Sequence, residues 1–202
     1  LQFYEKYMNS NPTDEKVVME ASFKVAEIYE NENRRKKSDE WYKRTISIYR
    51  RLKAKGQVVG AKFAAKSQFR LVFRTYESLR EIEIPGNPKK QQVAVQRKLA
   101  LLETLKEDLK QVIKYDVGGQ IVASLTLIGQ AYQHMAAALF NAPLPKGLDA
   151  KGIGAYKEGV KQIASPFQEQ AIENYVSAIE KGYRLESYNR WLRTANKELN
   201  NI

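Results

Sequence analysis

The sequence predicts an all-α protein built from helical hairpins that stack on one another. Hydrophobic residues make up 43% of the chain and charged residues 28%, with only 11 Gly and 6 Pro among 202 residues, a composition that favours a helical chain over a disordered or β-rich one. Apolar residues recur at helical spacing along most of the chain. In addition, Ala61-x-Phe63-x-Ala65 repeats Ala21-x-Phe23-x-Val25 after 40 residues, which indicates an internal repeat.

Segment 165–182 shows the packing device most clearly. Ala171, Tyr175 and Ala178 place a small, an aromatic and a small residue on one helix face, so that a neighbouring helix can approach closely. The sequence predicts that this helix starts at Ser165 as N-cap, with Pro166 at the first helical position and Gln168 completing a capping box, and that it ends at Gly182.

The other elements follow in chain order. Segment 1–12 is predicted to be the tail of a preceding hairpin. Segment 13–56 contains two helices, because an apolar helical pattern through Tyr29 is followed by a basic turn and a second triplet, Ser38-x-x-x-Tyr42-x-x-Thr45. Segment 57–116 is predicted to form a long divergent hairpin, with helices from Gln57 to about Ile82 and from Pro88 to Tyr115 and with Asn87 as the cap between them.

A third pair of helices is predicted in segment 117–183, with an insertion at 141–164 between its two members. The insertion begins extended, because each proline in 142–148 disfavours helix at the residue before it. A short extra helix is expected at 149–164, where Ile153, Tyr156, Val160 and Ile163 have helical spacing. Segment 184–202 is predicted to start a further hairpin. Because the chain starts with Leu1 and both end segments look like half hairpins, we expect a fragment of a longer protein.

The net charge of +11 is concentrated in the middle of the chain. Residues 31–110 carry 21 Lys and Arg against 9 Asp and Glu, a net charge of +12, whereas residues 1–30 have a net charge of −3. Such a field could attract an acidic protein, nucleic acid or anionic lipid. The alternative, which is the more common meaning of a charged run, is a solvated helix surface.

These patterns resemble the tetratricopeptide repeat family, which has a 34-residue period with small and aromatic residues at helix contacts. The resemblance covers about half of the chain, and the central hairpin and the long insertion depart from it. It implies a right-handed α-solenoid of about nine helices. The positions that match the packing motif of the family are Ala26, Tyr29, Ser38, Tyr42, Thr45, Gly129, Tyr132, Ala171, Tyr175 and Ala178.

The resemblance also implies a concave surface, lined by the first helix of each hairpin, that binds a protein or peptide. The corresponding groove positions in this chain are Glu27, Glu30, Asn31, Ser67, Arg70, Arg74, Thr126, Gln130, Gln133 and His134. We therefore expect a groove that is acidic at one end, basic in the middle and rich in amides at the other end. Solvation of an inner face without any partner is the alternative interpretation.

The sequence gives no indication of catalysis, of a cofactor or of a metal site. There is no cysteine, and the single histidine, His134, lacks a second histidine at ligand spacing, so we expect it on the groove side of a helix surface. No apolar run is long enough to cross a membrane. A non-enzymatic protein-interaction scaffold is therefore the favoured function.

A narrower resemblance, to repeat scaffolds of the δ-proteobacterial cell envelope, favours a periplasmic or envelope location over the cytoplasm. The competing function is binding of nucleic acid or another polyanion through residues 31–110, where Phe63, Phe69, Phe73 and Tyr76 alternate with basic residues. Against it, the spacing of these aromatic residues is that of a helical core. A membrane-surface contact through the basic segment is a third possibility.

Overall fold

The computed structural model describes residues 2–10 and 12–202, and this part of the chain is all-α, without a β-strand. Leu1 and Asn11, within the predicted segment 1–12, lie outside the described residues. The described helices are α1 (Gln2–Asn9), α2 (Glu15–Asn31), α3 (Arg35–Ala54), α4 (Ala61–Glu81), α5 (Pro88–Ile113), α6 (Gly118–Phe140), α7 (Ala150–Arg184) and α8 (Arg190–Asn201). There are thus eight helices in the described chain, where about nine were predicted.

The helices are arranged in two layers. Each helix packs against the next one along the chain, and the even-numbered helices also contact one another in the order α2, α4, α6, α8. Among the described residues, the backbones of α3 and α5, and those of α5 and α7, do not come into contact. The even-numbered helices therefore form one continuous layer, which we call the inner layer, and α3, α5 and α7 pack against it without backbone contacts to one another in the described chain.

Helix α4 takes part in both hydrophobic cores. Its first half contributes Phe63 and Ala64 to a core with α2 and α3, which also contains Met19 and Tyr42. Its second half contributes residues from Phe69 to Leu79 to a larger core with α5, α6 and α7. The two cores are therefore joined by one continuous helix.

The boundary between α4 and α5 was predicted correctly, whereas the start of α4 was not. Asn87 caps α5 by accepting a hydrogen bond from the amide of Lys90 at 3.2 Å, and Pro88 occupies the first helical position. Helix α4 begins at Ala61 rather than Gln57, because Gly60 adopts a left-handed conformation with φ of 71°. Met19 lies so close to Gly60 that a Cβ atom there would overlap its side chain.

The predicted break at Ser165 and Pro166 is wrong. Asp149 caps the helix instead, by accepting a hydrogen bond from the amide of Gly152 at 2.7 Å, and α7 continues through Pro166 for 35 residues. Pro166 leaves the carbonyl of Gln162 without its amide donor, and because both residues are exposed, water can solvate that carbonyl; Ala164, two residues before the proline, is fully buried. This merging of the insertion helix with its successor accounts for the missing ninth helix. Gly182 lies inside α7, against Leu192 of α8.

The ten predicted packing residues are all buried. One contact among them joins α6 closely to α7, because the ring of Tyr175 lies directly on Gly129. A Cβ atom at position 129 would come within 2.7 Å of Cε1 of Tyr175. Glycine at this position therefore sets the distance between the two helices.

We predict that Gly129→Ala destabilises the fold by about 1–3 kcal/mol, because the added methyl group forces Tyr175 out of its site. Equilibrium urea unfolding measures the change. Gly159→Ala is the matched control: it lies within α7, and a Cβ atom there would meet no atom within 4 Å. That control should stabilise the chain by about 0.5–1 kcal/mol through helix propensity. Equal effects of the two substitutions would contradict the close packing at Gly129.

Candidate partner-binding groove

A cavity of about 550 Å³ opens on the inner layer, where the first turns of α6 and α8 approach α2 and α4. Two helix starts and the turn before α8 form one side of it, and the faces of α2 and α4 form the other. We call this cavity the groove. It is lined by Phe23, Glu27, Lys66, Phe69, Arg70, Gly119, Gln120, Glu186, Ser187, Tyr188, Asn189, Arg190 and Trp191.

The turn before α8 is fixed by Asn189. Its side-chain oxygen accepts hydrogen bonds from the amides of Trp191 at 2.8 Å and Leu192 at 3.2 Å, which caps α8. Its side-chain nitrogen donates to the hydroxyl of Ser187 at 3.1 Å and, at 3.5 Å, to the carbonyl of Gly119 in α6. One asparagine thus starts α8 and holds it against the start of α6.

Aromatic rings form the floor of the groove and continue beyond it. The ring of Trp191 lies edge-on to Phe69, with centroids 5.3 Å apart, and 6.5 Å from Phe73. Phe73 in turn contacts Tyr76 at 5.5 Å. Because Trp191 belongs to α8 and the other three rings to α4, this cluster spans the inner layer across α6 and gives the groove an apolar base.

In the groove lining, more cationic than anionic side chains lack an ion-pair partner among the described residues. Lys66, Arg70 and Arg190 make no ion pair with any carboxylate of the described residues. Two of them lie near aromatic faces: Arg190 is 5.0 Å from the ring centre of Trp191, and Lys66 is 5.9 Å from that of Phe23. Of the two carboxylates in the lining, Glu27 is already paired with Lys24 at 2.9 Å.

Two residues predicted to bind a partner bind each other instead. The guanidinium of Arg74 donates to Glu30 at 2.8 Å and also contacts Asp39 at 3.4 Å. Burial raises the pKa of Glu30, but the hydrogen bond and charge of Arg74 outweigh this effect and hold that pKa below its usual value. Arg74 and Glu30 therefore connect α4 to α2 and, through Asp39, to α3.

Four more predicted groove residues are taken up by internal packing. Ser67 and Thr126 are fully buried, and the hydroxyl of Thr126 donates to the carbonyl of Val122 at 2.8 Å. Gln133 accepts a hydrogen bond from the hydroxyl of Tyr175 at 2.5 Å and donates to Glu198 of α8 at 3.3 Å. Sequence reasoning placed Thr126 and Gln133 on an open face because it did not foresee that α8 would cover α6, where the hydroxyl of Thr126 also lies 3.3 Å from the carbonyl of Trp191.

His134 is the fourth of these residues, and it faces α5 rather than the groove. Its Nε2 atom lies 3.1 Å from Nζ of Lys98, a fully buried lysine that also donates to the carbonyl of Leu79 at 2.6 Å. Burial lowers the pKa of Lys98. Burial, together with the charges of Lys98 and Arg80, lowers the pKa of His134 to about 4. Nε2 of neutral His134 is thus placed to accept a hydrogen bond from Nζ of Lys98.

Of the ten predicted partner-binding residues, the structure places Glu27 and Arg70 in the groove lining. Asn31 is exposed at the end of α2, and Gln130 is half-buried on α6. Sequence reasoning missed Lys66, Gln120, Arg190 and Trp191. The N-cap pattern of Asn189 could have indicated where α8 starts, but no pattern in the sequence relates that start to α2 and α4.

Comparisons with known proteins add no relative: scans of protein-family models, of curated proteins and of solved structures found no match to this chain. In the described residues, no helix is both long and apolar enough to cross a membrane. No group of three or more His, Cys, Asp or Glu side chains in the same residues is placed to hold a metal ion.

We predict that the free energy of unfolding decreases as the pH is lowered from about 6.5 to about 4, because of His134. The pKa of His134 is about 4 in the folded chain, against 6.5 for an ordinary histidine, so the unfolded chain binds more protons in this range. The difference between the two pKa values corresponds to about 3 kcal/mol, and because His134 is only half-buried, solvent screening should reduce the loss on acidification to roughly 1–3 kcal/mol. Urea unfolding across the range measures the loss.

His134→Gln is the control, because its amide oxygen can accept from Lys98 without titrating. As the pH is lowered from about 6.5 to about 4, the original chain should lose more stability than this variant. The difference between their free energies of unfolding should therefore change across this range. A constant difference would contradict the assignment and attribute the acid sensitivity to carboxylates alone.

Proposed function

We propose that this chain is a right-handed solenoid of tetratricopeptide-like hairpins and a non-enzymatic scaffold that binds a protein segment on its inner layer. The contacts between successive even-numbered helices, without corresponding contacts between α3, α5 and α7, are those expected of a curved stack with the even-numbered helices inside. The burial of all ten packing residues supports the same arrangement.

The groove carries the functional proposal. It combines an apolar floor of aromatic rings with three cations that lack carboxylate partners in the described chain. Such a surface suits a peptide segment with acidic residues next to an apolar one, since charge then complements charge while an apolar side chain covers the half-buried ring of Trp191, which lies outside residues 31–110. The only histidine in the sequence is engaged with Lys98, which leaves the groove without a histidine for acid–base catalysis.

We also propose that the scaffold belongs to a bacterial cell-envelope assembly, on the resemblance alone. The alternative function, binding of a polyanion through residues 31–110, is less favoured. Several cations of that segment are paired with carboxylates, among them Arg35, Arg51 and Lys106. Its aromatic residues are buried or half-buried in the cores and so are not available to stack on bases.

Selection of random peptides, displayed on phage, against the immobilised chain tests the proposal. We expect the selected peptides to be enriched in Asp and Glu next to an aromatic or aliphatic residue. A synthetic peptide of this kind should bind about tenfold more weakly to the variant K66E/R190E, since both lost cations border the groove. Fluorescence anisotropy at about physiological salt measures the affinity.

The variant K89E/R97E is the matched control. It makes the same change in net charge at two exposed residues of α5, outside the groove. Equal losses of affinity in both variants would show that peptide binding depends only on the net charge of the protein. They would contradict the assignment of the groove as the peptide-binding site. Binding of single-stranded DNA that depends on residues 31–110 and competes with the peptide would favour the polyanion alternative.

A further inference from the structure

A second cavity, separate from the groove, lies beneath the first half of α7. It has a volume of about 270 Å³ and is bounded by α5, the end of α6, the segment after α6 and α7. The backbones of α5 and α7 do not come into contact in the described chain, so side chains border the space between the two helices. We call it the α5–α7 cavity.

The cavity uses an apolar stripe that the sequence analysis identified and that the groove leaves unexplained. Tyr156, Val160 and Ile163 follow one another at spacings of four and three residues on α7, and all three line the cavity. Ile163 remains 59% exposed. Thus the protein does not completely cover the apolar face that α7 presents toward α5. A ligand that covered this face would remove apolar surface from water, which is favourable.

The lining is uncharged throughout. It consists of aliphatic side chains from α5, α6, α7 and the segments before α5 and after α6, together with the amides of Gln91, Gln92 and Gln96 and the hydroxyl of Tyr156. An ionic group would have to lose its hydration here without meeting an opposite charge, whereas an alkyl chain would lose only its contact with water. The amides and the hydroxyl offer hydrogen bonds to one small polar group at the end of such a chain.

Hydrogen bonds tie the sides of the cavity together at a fixed separation. The side-chain nitrogen of Gln91 donates to the hydroxyl of Tyr156 at 3.1 Å and to the carbonyl of Pro143 at 3.4 Å. These bonds link α5 to α7 and to the segment after α6. They therefore support the walls of the cavity, and they use neither the side-chain oxygen of Gln91 nor the hydroxyl proton of Tyr156, which stay available to a ligand.

We propose that the α5–α7 cavity is a binding site for a small uncharged molecule with an alkyl body and one hydroxyl, amide or ester group. At about 30 Å³ for each water-sized group in a liquid, the cavity accommodates roughly nine such groups. The alkyl body contacts Val95, Leu139 and Val160, and the polar group faces the glutamine amides at the edge. The site is independent of the peptide groove.

Titration of the full chain with 1-octanol tests the site, because this alcohol has about the size that the cavity allows. Methyl spectra by NMR report the binding: the signal of Ile84, which lines the cavity, should shift and saturate. The signal of Ile48, which belongs to the other core, should not move. Octanoate and octylammonium should bind at least about tenfold more weakly, because each brings an unpaired charge to an uncharged lining.

Ile163→Trp should block the mouth and weaken octanol binding by about tenfold or more, while the exposure of residue 163 lets the fold tolerate the larger ring. Ile172→Trp is the matched control on the same helix, at a residue that is also exposed but lies outside the cavity, and it should leave the affinity unchanged. Circular dichroism and thermal melting confirm that both variants fold.

Three outcomes would overturn the site. The first is the absence of a saturable shift of Ile84 up to the solubility limit of octanol. The second is equal binding to the two tryptophan variants, which would place the alcohol elsewhere on the surface. The third is binding of octanoate or octylammonium that is as tight as that of octanol or tighter, which would contradict an uncharged site.

Discussion

The contact between Tyr175 and Gly129 determines how the second half of the molecule is assembled. Because α6 has no side chain at this position, the tyrosine ring lies against its backbone and α7 packs closely along α6. The hydroxyl of Tyr175 donates a hydrogen bond to Gln133, and burial raises the pKa of this phenol. Gln133 then binds Glu198, which connects α8 to the same point.

Both candidate sites depend on this assembly, although they lie at different parts of it. The position of α8 on α6 brings Trp191 to the aromatic rings of α4 and Arg190 to the edge of the groove. The position of α7 on α6 leaves its first half next to α5 without backbone contact, which creates the second cavity. A change in the spacing of α6 and α7 would therefore alter both surfaces together.

Local patterns predicted local features well and long-range ones poorly. The cap at Asn87 and Pro88 depends on neighbouring residues and was correct. The break at Ser165 and Pro166 was also inferred from neighbouring residues, but there tertiary packing outweighed the local signal. Before the proline, Ala164 is buried; after it, the ring centroid of Phe167 lies 6.3 Å from that of Tyr132. For the groove, Arg70 could be placed from its helix face, whereas Arg190 and Trp191 reach it only through the docking of α8.

The sequence by itself determined the helical class and the residues that helices bury against one another, because helical periodicity and small–aromatic spacing act within a few turns. Only the tertiary structure decided which polar residues stay open to a partner. Glu30 and Arg74 lie on faces that a repeat pattern leaves open, yet they meet across α2 and α4 and neutralise each other. Such pairing depends on distances between residues far apart in the chain, and no local pattern encodes those distances.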